Sequence, residues 1–194
     1  MNILIREAAP SDAAALAAID VATTTQHQAK PARFAADIAG NPGAVYVAES
    51  AGSAVGYLML RNDDHPHIVE ARSPIQIWRL YVLPEFHGKG VAASLMSRAL
   101  DHARRGEHDV VWLGVAEHND RAIAFYGKQG FRALGMYRLH GGGAPRRPNN
   151  VLRSPLSPDH SVPYEKTHSG RCRRRASLGR HHLLRAYRSS KGAA

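Results

Sequence analysis

The 194-residue sequence predicts a mixed α/β fold. Three observations carry this reading: short apolar runs rich in β-branched residues, helical spacing of apolar residues between those runs, and glycines at strand-to-helix junctions. Ile3, Leu4 and Ile5 form a first strand. After Pro10, the Ser11/Asp12 pair is an N-cap candidate for a helix with Leu16 and Ile19 at i, i+3. Pro31 opens a second helix, with Phe34 and Ile38 at i, i+4 and a stop at Gly40-Asn41-Pro42-Gly43. Val45 to Glu49, the turn Ser50-Ala51-Gly52-Ser53, and Ala54 to Leu60 read as strand, turn, strand.

Asn62 to His67 is loop-like by composition and leads to the most strand-like run of the chain, Ile75-Gln76-Ile77-Trp78-Arg79-Leu80-Tyr81-Val82, which Leu83-Pro84 ends. Beyond a glycine-punctuated loop, Val91 to Arg104 carries Val91, Leu95, Ala99 and Ala103 at helical spacing, with the basic end that a helix C-terminus prefers. Val110 to Val115 is the next buried strand, Arg121 to Gln129 is a helix stopped by Gly130, and Phe131 to Leu139 is the last recognisable strand.

The charge is unevenly placed. The formal net charge is +10, yet residues 1–140 carry 14 Lys and Arg against 14 Asp and Glu, and residues 141–194 carry 12 against 2. A neutral body argues against a dedicated nucleic-acid-binding fold, whose surface is basic throughout. The expected organisation is one domain, 1–140, followed by a basic Pro/Gly/Arg-rich tail, 141–194, that buries too little to offset its ordering entropy and is therefore largely disordered. Cys172 alone cannot make an internal disulfide or a cysteine-paired zinc site. The N-terminus has no signal-peptide pattern and no stretch reaches the ~20 apolar residues of a membrane span, so a cytoplasmic protein is expected. His65 and His67 beside Asp63 and Asp64 read as a solvated loop, and no metal is expected.

Two junctions carry chemistry. In Leu80-Tyr81-Val82-Leu83-Pro84-Glu85-Phe86-His87-Gly88-Lys89-Gly90-Val91-Ala92 a buried strand passes through glycines into a helix, whose free first-turn N–H groups and dipole attract an anion. Taken alone, Gly88 and Gly90 serve equally well as a tight turn. The order Lys89-Gly90-Val91 excludes a Walker A loop, and the spacing excludes Gly-x-Gly-x-x-Gly. The second junction runs from Trp112 through Glu117 and Asn119 to Phe125-Tyr126 and Gly130-Phe131.

Together the two junctions resemble the GCN5-related N-acetyltransferase (GNAT) superfamily over roughly residues 3–139. The resemblance implies a mixed central sheet of six to seven strands with flanking helices. It implies acetyl-CoA as cosubstrate, with the pyrophosphate on His87, Gly88, Lys89, Gly90, Val91 and Ala92 and a second coenzyme motif at Asn119 and Tyr126. His87 stands where the family usually has Arg or Gln; since backbone amides do most of the phosphate binding, it is expected to alter affinity only. The strand of Leu80, Tyr81 and Val82 is expected to pair with the pantetheine arm, one of its N–H groups polarising the thioester, with the coenzyme entering a gap between this strand and Trp112 to Val115. The family's closing strand has no convincing counterpart after Gly143, Val151-Leu152 being too short, so the sheet is expected to lack it or to obtain it from a partner.

Acetyl transfer from a thioester needs a neutral amine, a stabilised oxyanion and a proton for the departing thiolate. The resemblance places Tyr126 beside the sulfur, where a phenol of pKa ~10 suits protonation of an alkyl thiolate. Asn119 and Tyr126, seven apart, share a helix face if Asn119 is the N-cap. An alkyl amine of pKa near 10.4 is about 0.04 % neutral at pH 7, so a base or an ordered water path is required. Gln76 occupies the place where many relatives have a Glu. The candidates for the base are Glu117, ranked first, then Glu70, Asp64, or water ordered by Gln76.

The segment Trp112 to Asn119 is similar to a subgroup that includes bacterial polyamine acetyltransferases, so the expected acceptor is a small amine, a polyamine or a peptide amine. Two other readings remain: a coenzyme A-binding module without catalysis, and a polyanion or nucleic-acid binder acting through the tail. An unpaired sheet edge would also favour homodimerisation.

Overall fold

The computed structural model describes residues 2–24, 30–62, 65–137 and 149–156. Among the described residues the strands are β1 (Leu4–Glu7), β2 (Val45–Ser50), β3 (Ser53–Arg61), β4 (Pro74–Val82), β5 (Val110–Ala116), β6 (Arg132–Tyr137) and β7 (Asn149–Pro155). The helices are α1 (Ala13–Thr23), α2 (Pro31–Gly40), α3 (Val91–Arg105) and α4 (Asp120–Lys128). One sheet holds all the strands in the order β1-β2-β3-β4-β5-β7-β6. Among the described residues only the β4 and β5 pair runs parallel.

The strand β7 corrects the expectation of a missing closing strand. It inserts between β5 and β6, pairing antiparallel from Val110↔Pro155 to Ala116↔Asn149 on one side and from Arg132↔Arg153 to Tyr137↔Asn149 on the other. Val151 is 0 % and Leu152 3 % exposed. Two apolar residues suffice because the strand is hydrogen-bonded along both edges, so its backbone is satisfied without a long alternating pattern. The folded domain therefore extends past residue 140. The expected disorder of the tail concerns residues 141–148 and 157–194, which lie outside the described residues, as do Leu139, Asp63 and Asp64.

Helices cover both sheet faces. Leu95, Met96 and Ala99 of α3 bury one face with Tyr46, Leu58 and Val111, while Leu16, Phe34 and Ile38 of α1 and α2 bury the other with Val47, Tyr57 and Met59. In β4, Ile75 and Ile77 face α3. Strict alternation would send Tyr81 the same way, but the ladder with β3 pairs Arg79 with Met59 and Ile77 with Leu60, leaving Trp78 as an extra residue. That bulge reverses the parity. Leu80 and Val82 face α3, and Trp78 and Tyr81 face α1 and α2.

The entry to α1 differs from the expected cap. Residues Pro10–Asp12 form a short 3-10 turn, and the Asp12 carboxylate turns back to Arg6 of β1, accepting from Nη1 at 2.7 Å and Nη2 at 2.8 Å, and from the Ala9 N–H at 2.7 Å. A bidentate guanidinium outcompetes a helix amide for this carboxylate. Its pKa is held below the usual carboxylate value, first by the Arg6 hydrogen bonds. Among the described residues no helix is long and apolar enough to cross a membrane.

Candidate active site

The strands β4 and β5 are paired only from Pro74↔Val110 to Gln76↔Trp112. From Ile77 onward they diverge, and the β4 edge facing β5 has no strand neighbour among the described residues. A cleft of about 570 Å³ occupies this opening. Leu80, Tyr81 and Val82 form one wall. The loop contributes Phe86, His87, Gly88 and Gly90, and α3 contributes Val91, Ala92 and Ala93.

The loop geometry explains its glycines. Gly88 and Gly90 have φ of 73° and 83°, a region that L side chains rarely adopt, and Gly90 is the N-cap of α3. A Cβ at either position would meet nothing within 4 Å, so it is the backbone conformation, and not packing, that requires glycine there. The same open space lets a ligand approach the backbone. The amide of Ser94 bonds to Gly90 O at 3.0 Å, which leaves the N–H groups of Val91, Ala92 and Ala93 as the unpaired first turn of the helix, at the cleft. His87 ties the loop to the strand, its Nε2 lying 2.8 Å from Val82 O.

Asn119 caps α4, its Oδ1 accepting from the Ala122 N–H at 3.1 Å. Tyr126, two turns on, closes the inner end of the cleft, 9 % exposed, with ring centroids 5.3 Å from Phe125 and 5.7 Å from Phe131. Burial, then the nearby Tyr81 phenol, raises its pKa above the ordinary tyrosine value, so it holds its proton at neutral pH.

Over residues 14–131 the sequence matches the profile described as the acetyltransferase (GNAT) family. The chain belongs to the GNAT acetyltransferase family. It is 37 % identical over 122 residues to an uncharacterised N-acetyltransferase of Mycobacterium tuberculosis, covering 62 % of this chain and 73 % of that one. It is 31 % identical over 110 residues to the N-alpha-acetyltransferase RimI of the same organism, covering 57 % and 65 %. The structure of yncA, a putative acetyltransferase of Salmonella typhimurium with acetyl-CoA bound, superposes with a TM-score of 0.67 at 23 % identity over 84 % of this chain and 99 % of that one.

In this acetyltransferase not every expected site residue reaches the cleft. Lys89 is exposed, its Nζ 5.3 Å from the centre of the Phe86 ring, and does not line it. Glu117, the first-ranked base, is exposed in the turn after β5 and does not line it either. The turn that reverses the chain into α4 carries Glu117 to the outer surface, while capping turns Asn119 Oδ1 onto the helix. Glu70 is exposed, its carbonyl accepting from Arg153 at 3.1 Å. Gln76 lies in the stretch where β4 and β5 are still paired, short of the opening. Asp64 lies outside the described residues.

Ten lining residues fall outside the expected set, and four of them add new elements or charge to the cleft. Ala22 and Thr23 bring the last turn of α1 to the cleft. Arg121 and Lys128 bring two cations from α4. These last two are seven apart, the spacing of Asn119 and Tyr126, and that periodicity marks them as sharing a helix face. Nothing local marks Ala22 or Thr23, whose place depends on how α1 crosses the sheet. Among the described residues no group of three or more His, Cys, Asp or Glu converges as a metal site.

Proposed function

We propose that this acetyltransferase moves an acetyl group from acetyl-CoA to the α-amine of a peptide or a similar weakly basic amine, by direct attack in a ternary complex. The observation that carries the reading is one continuous cleft, running from the free amides at the start of α3, along the unpaired edge of β4, to Tyr126. The amides of Val91, Ala92 and Ala93 suit the pyrophosphate, Arg121 and Lys128 add positive charge, and the β4 edge offers backbone groups to the pantetheine amides. The acetyl-CoA complex of the similar Salmonella protein supports the choice of cosubstrate.

In the reaction the amine nitrogen attacks the thioester carbon, forming C–N while the carbonyl electrons move to oxygen, where a β4 N–H stabilises them. Collapse breaks C–S. Tyr126 donates its proton to the leaving thiolate and recovers one when the acylated nitrogen sheds its own through water. The products are the amide and free coenzyme A.

The acceptor class follows from charge. No Asp or Glu is among the described residues lining the cleft, and its charged members are cationic. An amine that must enter neutral is best an α-amine, with pKa ~7.7–8.0, of which about a tenth is neutral at pH 7, compared with about 0.04 % of an alkyl amine at pKa 10.4. Similarity to the mycobacterial RimI supports the same class. The test is a panel of tetrapeptides, polyamines, amino acids and aminoglycosides with acetyl-CoA, read by thiol release. Peptides are expected to react, with kcat/KM rising up to about pH 8 as the α-amine loses its proton. A preference for polyamines would overturn the acceptor class, and coenzyme binding with no turnover on any amine would leave a coenzyme-binding module.

A further inference from the structure

A buried polar cluster lies behind the cleft on the α1 side, and the chemistry above leaves it unused. Asp20, in the last turn of α1, is 0 % exposed. One of its oxygens accepts from the Tyr57 hydroxyl at 2.7 Å and from Arg79 Nη1 at 3.0 Å; the other has no hydrogen-bond partner. The Arg79 guanidinium sits 4.3 Å from the Trp78 ring centre and 5.2 Å from that of Phe34. A carboxylate buried at this depth is costly unless paired, so the cluster fixes the α1 to β4 distance within narrow limits.

The cluster sits beside the α1 side of the cleft. Ala22 and Thr23, two and three residues after Asp20 on α1, line the cleft, as does Tyr81, two residues after Arg79 on β4. Tyr81 lies opposite Tyr57 in the ladder, their rings 5.7 Å apart, and its hydroxyl is hydrogen-bonded to Thr24. The bulge at Trp78 is what turns Tyr81 to this face, opposite the one that carries Tyr126. The Tyr81 phenol lies close enough to raise the pKa of Tyr126. If Tyr126 serves the thiolate as proposed, the thioester lies on its side of the cleft and the Tyr81 side is left to the amine.

Building on the function proposed above, we infer that Tyr81 is the acceptor-binding residue of this enzyme, its hydroxyl receiving a hydrogen bond from the incoming amine, and that Asp20, Arg79, Tyr57 and Thr24 are positioning residues that hold it there. The neutral phenol accepts one N–H of the amine and leaves the nitrogen lone pair directed at the thioester. No proton or electron pair passes to Tyr81. This supplies the directing group that the cleft otherwise lacks, since Glu117 and Gln76 stand outside it.

The test is steady-state kinetics on the full chain with a reactive tetrapeptide from the panel. Tyr81→Phe keeps the ring and removes the hydroxyl, so the KM for peptide is expected to rise about three- to tenfold, the worth of one neutral hydrogen bond, with the KM for acetyl-CoA within twofold of wild type. Asp20→Asn strands the Arg79 charge and risks misfolding, so the positioning claim is read from Thr24→Val instead. That variant is expected to raise the peptide KM by a smaller factor, and its effect is expected to vanish in the Tyr81→Phe background, a coupling that a purely structural threonine would not show. An unchanged peptide KM in Tyr81→Phe, with wild type active, overturns this inference and leaves the proposed function standing. Additive effects in the double variant overturn the positioning claim. A wild type inert towards every peptide and amine overturns both readings together.

Discussion

Removing the Tyr126 hydroxyl is the most direct trial of the chemistry. In Tyr126→Phe the ring stays packed against Phe125 and Phe131, at centroid distances of 5.3 and 5.7 Å, so no cavity opens. Folding stability is expected to stay within about 1 kcal/mol of wild type, a shift of ~2–4 °C in Tm for a chain of this size. The chemical step loses its proton donor. General acid catalysis contributes ~10²–10⁴-fold, and because an alkyl thiolate is already a fair leaving group the low end applies, so kcat is expected to fall about a hundredfold with the KM for acetyl-CoA little changed. Initial rates of thiol release with a reactive tetrapeptide measure this, and calorimetric titration of coenzyme A checks that binding survives. The pH profile adds a second reading: because burial and Tyr81 hold the phenol above its ordinary pKa, wild-type kcat is expected to show no alkaline decline below about pH 10. A variant that keeps more than a third of wild-type kcat would refute the acid role.

Three further outcomes are expected. A chain ending at residue 148 lacks β7 and should fail to fold, whereas one ending at residue 162 keeps the unit that holds every described residue and should retain the fold and the transferase activity, as circular dichroism and thiol release will show. Gly90→Ala forces φ of 83° on an alanine at the mouth of α3, costing ~1–2 kcal/mol and weakening coenzyme A binding by titration; an unchanged Kd would remove the anion site from that helix. Burial, with His108 and Arg105 nearby, lowers the His102 pKa, so the unfolded chain takes up its proton first: stability from this group is complete above pH ~6.5 and declines as the pH falls below it. His102→Gln should flatten that part of the stability curve measured by urea titration, and a slope unchanged from wild type would acquit His102.

The parts legible from sequence are those whose signal is local. Glycines at 88 and 90 announce a loop with left-handed residues before a helix, and Asn119 announces a cap, because φ preference and capping act over a few residues. Three features were hidden. β7 carries only Val151 and Leu152 as core residues and owes its conformation to strands on both sides. The bulge at Trp78, which reverses the direction of Tyr81, exists only in register with β3. Glu117 reads well beside Asn119 in sequence, yet a turn sends it to solvent.

By itself the sequence determined the order of the strands and helices through β6, the glycine-led start of α3, the capped helix that bears Tyr126, and the separation of a neutral body from a basic tail. Tertiary structure alone decided where β7 goes, how far β4 and β5 stay paired before they open, and which face receives Tyr81 and the end of α1. The division has a physical cause. Dihedral preference, capping and side-chain period are settled within a turn or two of chain, whereas strand register and the crossing of α1 over β4 are settled by hydrogen bonds and packing between residues as far apart as Asp20 and Arg79.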